Sequence, residues 1–88
     1  MTSTSFSIDD LRRFLREVAG IDAVGLLDGD ILDIAFDDLG YDSLALLETG
    51  SRIDRELGIS LPDSTIVESR TPRVLIHNVN AALAAVSA

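Results

Sequence analysis

Asp42-Ser43-Leu44 sets a nucleophilic hydroxyl directly after a carboxylate, in a chain that contains one histidine, His77, and no cysteine. A serine acting as a nucleophile needs a base that is itself oriented by a third group. His77 is the sole histidine, and a helical wheel turns it outward on the last helix. Gly-x-Ser-x-Gly is absent as well. The other use of such a serine is as an acceptor for a phosphate ester. At the first position of a helix, unpaired backbone N–H groups and the positive end of the helix dipole stabilise added negative charge. Asp42 suffices as the helix cap, which leaves Ser43 spare. A second cluster, Asp28 and Asp30, begins like a calcium loop, but Leu32 stands where the next ligand belongs and the glycine is missing.

The elements that position Ser43 follow from apolar spacing. Residues 1–6 read as a frayed tail. Ser7 opens a capping box with Asp10, and Ile8, Leu11, Leu15 and Val18 recur at helical spacing up to Gly20, predicting helix one over Ile8–Ala19. Residues 20–41 carry no sustained period, yet they hold Leu26, Leu27, Ile31, Ile34, Phe36 and Leu39. They predict a long loop packed on the domain, with a helical turn near Asp30–Ile34; a short strand at Ile31–Phe36 is the weaker alternative. Asp42 caps a second helix that ends at Leu57-Gly58. After Leu61-Pro62, Asp63 caps a short helix, and Thr71-Pro72 opens the last one, with Leu75, Val79, Ala82, Leu83 and Val86 on one face. The fold class is all-α: a small bundle of three main helices and one short one, forming a single domain over residues 1–88.

Composition narrows the partners. The chain has 88 residues, 15 Asp+Glu against 7 arginines, no lysine, and a net charge of −8. Nucleic acid and anionic membrane surfaces would be repelled, whereas a basic protein surface would be attracted. Disulfides and thiolate metal sites are excluded, no apolar run is long enough to span a membrane, and no signal peptide is evident. The cytoplasm is the default compartment, and the expected state is a monomer without metal.

At about 100° per residue, Leu46, Thr49, Gly50, Ile53 and Leu57 form the core stripe of the second helix. Leu44 points away from it, and Leu47 lies about a quarter turn off. Glu48, Ser51 and Arg55 surround Leu44 on the outer face. This face, with Leu44, Leu47, Glu48 and Ser51, is the expected recognition surface. Gly50, Ala81 and Ala82 are small enough to leave room between the second and last helices, and Arg73 and Asn80 could offer hydrogen bonds to a polar cargo.

Asp42-Ser43-Leu44, on a long loop followed by an acidic amphipathic helix, resembles the attachment motif of acyl carrier proteins. The likeness extends over nearly the whole chain, including the Leu61-Pro62 break and Thr71-Pro72. The run LGYDSLALLE…LGISLPD most resembles the discrete carriers of type II polyketide synthases. Fatty-acid carriers more often follow Asp-Ser-Leu with Asp-Thr-Val-Glu, and peptidyl carriers often have Gly-Gly-x-Ser where this chain has Gly40-Tyr41-Asp42-Ser43. The resemblance implies 4′-phosphopantetheine joined covalently to Ser43, with Asp42 as flanking motif, and a thiol-ended arm holding acyl groups as thioesters. The chain itself then needs no catalytic residue. Implied partners are a phosphopantetheinyl transferase, a ketosynthase/chain-length factor, an acyltransferase, a ketoreductase and cyclases. Two rivals stand beside it. One is a hydrolase, since Tyr41-Asp42-Ser43-Leu44 nearly matches the Gly-Asp-Ser-Leu motif, although such hydrolases are much larger. The other is a cofactor-free helical interaction module.

Overall fold

A computed structural model describes residues 5–19 and 27–87, with only the backbone of Ala19 and Ser87. Gly20, Leu26 and tail residues 1–4 lie outside the described residues. Four helices follow one another: α1 (Ile8–Ala19), α2 (Ser43–Leu57), α3 (Asp63–Glu68) and α4 (Pro72–Ser87). Among the described residues there is no strand, and residues 31–40 form successive turns instead. α1 packs against both α2 and α4, and α3 packs on α2.

Each helix end has its own chemical cause. Asp10 N–H donates to Ser7 Oγ at 3.2 Å while Ser7 N–H donates to Asp10 Oδ2 at 3.0 Å, so two otherwise unpaired donors are satisfied reciprocally. Asp42, in extended backbone, accepts the Ala45 N–H at 2.9 Å. Gly58 closes α2 at φ +69°, a left-handed conformation natural to glycine. α3 departs from expectation. Its cap position is Pro62, which offers no side-chain bond, and Asp63 is its first helical residue. The missing cap is offset nearby, where Asp54 accepts the Leu61 N–H through both carboxylate oxygens at 3.1 and 3.2 Å. Burial pushes the Asp54 carboxyl above its ordinary range, against the opposite pull of that N–H. Thr71 Oγ1 accepts the Val74 N–H at 3.4 Å, and Pro72 occupies the first turn of α4, where no N–H is needed.

The core runs through all four helices and the loop: Leu11, Phe14, Leu15, Leu27, Ile31, Phe36, Tyr41, Ile53, Ile66, Leu75 and Val79 are almost completely enclosed. Two expectations need correction. Phe6 is buried, packed on Phe14 with ring centroids 6.0 Å apart, so the chain is ordered into the core one residue before Ser7. Val86 is 62% exposed, because the apolar face of α4 runs past the end of the bundle.

The described part of the connection from α1 to α2, from residue 27 on, is tied down at several points. Arg12 donates to the Leu27 and Gly29 carbonyls, and Arg16 pairs with Asp28 at 3.1 Å. Farther along, the Phe36 N–H donates to the Arg70 carbonyl and the Arg73 N–H to the Leu32 carbonyl, both at 2.9 Å. Gly40, at φ +87°, turns the chain so that Tyr41 points inward. Tyr41 is 2% exposed, stacks edge-on to Phe36, and its hydroxyl donates to the Leu15 carbonyl at 2.6 Å. Its burial raises the phenol's pKa above the ordinary 10.0. The folded state therefore disfavours tyrosinate. The stability this contributes is whole below about pH 10 and is lost as pH rises towards the raised value. Tyr41→Phe should cost about 1–2 kcal/mol at neutral pH by removing a buried hydrogen bond. Above pH 10 its denaturation midpoint should fall less steeply than that of the parent, a difference that urea titrations at pH 8 and above 10 would register.

Candidate functional site

Ser43 is the first residue of α2 and is exposed. The two residues before it fix its placement: Tyr41 is anchored in the core, and Asp42 caps the helix. Because Asp42 fills the capping role, the Ser43 hydroxyl makes no hydrogen bond among the described residues. The uncommitted N–H groups of the first turn lie around it, where added negative charge is favoured. A cleft of about 250 Å³ opens beside it, lined by Phe36 and Asp37 from the loop, Ser43 and Leu46 from α2, Val67 from α3 and Arg70 beyond it. An exposed, unbonded hydroxyl at a helix start, next to a cleft with apolar and cationic walls, suits a phosphodiester-linked pantetheine arm.

The exposure of the outer face of α2 is only partly as expected. Leu44 is 77% exposed, Ser51 is exposed, and Glu48 is about half exposed. Leu47 is half-buried and packs against the core, because its quarter-turn offset brings it under the rim of the bundle. Glu48 also pairs with Arg52 at 3.1 Å, which moderates its charge. Arg52 lies within 3.9 Å of Glu17, and Arg13 joins Glu17 and Glu56, so the acidic outer surface of α2 is laced to α1.

Arg73 and Asn80 both have partners already. Arg73 grips Asp33 with two bonds of 2.7 and 3.0 Å and holds that carboxyl below its usual range. Asn80 receives the Phe6 N–H at 2.7 Å and donates to the Phe6 carbonyl at 3.1 Å. Arg73 keeps donors to spare beside Asp33, whereas both the oxygen and the nitrogen of the Asn80 carboxamide are engaged by the Phe6 backbone. The small residues do not leave the space expected of them. A Cβ on Gly50 would come within 2.3 Å of Ile66 Cδ1 and 2.9 Å of its Cγ1, so α3 already fills that gap, while Ala81 is exposed. His77 is exposed on α4. Among the described residues no group of His, Cys, Asp and Glu gathers to hold a metal, and Asp28 and Asp30 are engaged by Arg16 and the Leu32 N–H. No described helix is long and apolar enough to cross a membrane.

Residues 9–79 match the family described as the phosphopantetheine attachment site. The chain is 56% identical over 78 residues to the granaticin polyketide synthase acyl carrier protein of Streptomyces violaceoruber, covering 89% of this chain and 92% of that one. It is similar in structure to the actinorhodin apo acyl carrier protein of S. coelicolor, with a TM-score of 0.87, 47% identity, and coverage of 94% and 96% of the two chains. It is also similar to the 3,5-dioxohexyl form, a triketide mimic on the actinorhodin carrier, with a TM-score of 0.85, 47% identity, and coverage of 96% and 98%. The chain belongs to the phosphopantetheine-carrying acyl carrier proteins.

Two residues were not singled out in the sequence: Arg70, which lines the cleft, and Ile66, which packs against Gly50. Arg70 sits between two helices in no periodic pattern, and only the close approach of α3 explains Gly50. A Gly50→Ala substitution tests that fit. Helix propensity alone would favour alanine by about 1 kcal/mol. The collision with buried Ile66 outweighs this, since overpacking costs about 1–3 kcal/mol. The variant should therefore be less stable in urea unfolding, and adding Ile66→Val, which removes Cδ1, should lessen the loss that Gly50→Ala causes.

Proposed function

We propose that Ser43 carries the 4′-phosphopantetheine arm and that the chain tethers starter, extender and growing polyketide chains, presenting them to the enzymes of an aromatic polyketide synthase. The observation that carries this reading is the Ser43 hydroxyl: exposed, unbonded, and placed at a capped helix start beside a cleft. The arm supplies the thiol that this cysteine-free chain lacks, and holds acyl groups as thioesters. The protein's own part is positional. Tyr41 and Asp42 keep the loop and helix start in place while Ser43 stays outside the core. Relatives named as polyketide carriers and the polyketone-bearing carrier of similar fold support the substrate class.

The partner enzymes follow from the same reading. A phosphopantetheinyl transferase installs the arm, and a ketosynthase/chain-length factor, acyltransferase, ketoreductase and cyclases exchange cargo with it. We place this traffic in the cytoplasm, with a monomeric carrier. Partners read the outer face of α2, through protruding Leu44 and the half-exposed carboxylate of Glu48, with Ser51 on the same face; Leu47, half-buried against the core, borders it.

Ser43→Ala should fold like the parent, because Asp42 still caps α2, yet gain no pantetheine mass when coexpressed with a promiscuous phosphopantetheinyl transferase. Modification of the alanine variant would refute the assignment. Leu44→Asp and Glu48→Arg should each slow loading or transfer while changing stability by no more than about 0.5 kcal/mol, as surface substitutions do. The Glu48 effect should shrink with added salt, since exposed charges are screened over about 8–10 Å. A Leu44→Asp variant that reacts at the parental rate would remove Leu44 from the recognition face.

A further inference from the structure

Five of the seven arginines are engaged in ion pairs: Arg12, Arg13, Arg16, Arg52 and Arg73. Arg55 and Arg70 have no carboxylate within 4 Å among the described residues. Arg55 lies twelve residues along α2 from Ser43, about 18 Å away at the helical rise. Arg70 is different. It lines the same cleft as Ser43. Its backbone is held there, because its carbonyl accepts the Phe36 N–H at 2.9 Å, while neighbouring Ser69 is buried and bonded to Thr65 and Asn78. The Cα is therefore fixed at the cleft and the long side chain is left free.

We propose that Arg70 pairs with the phosphodiester that joins the arm to Ser43, and so lays the first part of the arm along the cleft between residues 35–37 and α3. The proposal rests on Ser43 being the attachment site. The charge of the phosphodiester would otherwise enter a region already carrying Asp37, Asp42 and Glu48, on a chain of net charge −8. Of these, Asp42 has its carboxylate turned to the Ala45 N–H and Glu48 has Arg52. Asp37 lines the cleft itself and is the one competitor for Arg70 there. A guanidinium has five donors in a planar fork, enough to serve Asp37 and a phosphate oxygen together. Arginine–phosphate pairing is charge-assisted and often two-pronged, which a lysine at this position would not reproduce. Beyond the phosphodiester, Leu46, Val67 and Phe36 give the cleft an apolar wall on which the arm's methyl groups can rest.

The test compares apo and fully loaded protein by the phosphorus resonance of the diester and the Arg70 Nε–Hε signal, in the parent, Arg70→Ala, Arg70→Lys and Arg55→Ala. Loading should shift the Arg70 Nε–Hε signal, and salt should reverse the shift. Arg70→Ala should move the phosphorus resonance towards that of a serine-linked pantetheine in a short unstructured peptide, Arg70→Lys should move it part of the way, and Arg55→Ala should leave it unchanged. A loaded chain in which the Arg70 signal does not respond, or in which Arg55→Ala moves the phosphorus resonance as far as Arg70→Ala, overturns the pairing alone. An intact mass that does not rise at all overturns the attachment reading, and the pairing with it. Circular dichroism of Arg70→Ala should match the parent, since only an exposed side chain is lost and the bond to Phe36 is made by backbone.

Discussion

The hydrogen bond from the Tyr41 hydroxyl to the Leu15 carbonyl ties the end of a long irregular connection to the middle of α1. Two residues later stands Ser43, the first residue of α2 and exposed. A loop of this length closes at modest entropic cost but has no internal ladder to fix its last residues. Burial of Tyr41 against Phe36 provides that fixed point, and the Phe36 N–H then ties the same segment to Arg70. Ser43 can be exposed and still well placed because the residue two positions earlier is buried.

The same division runs through the molecule. Arginines near α1 and the loop act as staples: Arg12 and Arg16 hold Leu27 and Asp28, Arg73 holds Asp33, and Arg13 and Arg52 join α1 to α2. Each exposed pair contributes little alone. Together they set the registry of helices whose core is thin, as in any domain of this size. The face of α2 around Leu44 and Ser51 is left outside this lacing and is exposed.

α3 shows how tightly a small carrier can be filled. It has only six residues and no side-chain cap, yet Ile66 sits against the bare backbone of Gly50. Ile66 fills the space beside Gly50, as expected of interiors at crystal-like density. A cleft opens beside Ser43, at the edge of α3.

The order of the helices and most of their ends were legible in the sequence, because they depend on local chemistry: Ser7 with Asp10, Asp42, Gly58 and Thr71-Pro72 act within a few residues of themselves. The attachment motif was legible for the same reason, and so was the exposure of Leu44, which follows from helical period. Other features depend on what approaches from elsewhere in the chain. Phe6 is core because Phe14 and the Asn80 carboxamide receive it from positions far along the chain. Gly50 is a contact surface because α3 folds back on it, and Leu47 is half-buried because the bundle rim reaches it. The sequence by itself determined where α1, α2 and α4 begin, where α2 ends, and which serine stands free at a helix start. Only the tertiary structure decided that Arg70 stands with that serine at one cleft, because twenty-seven residues of chain separate them and only the packing of α3 and the bond from Phe36 bring them together.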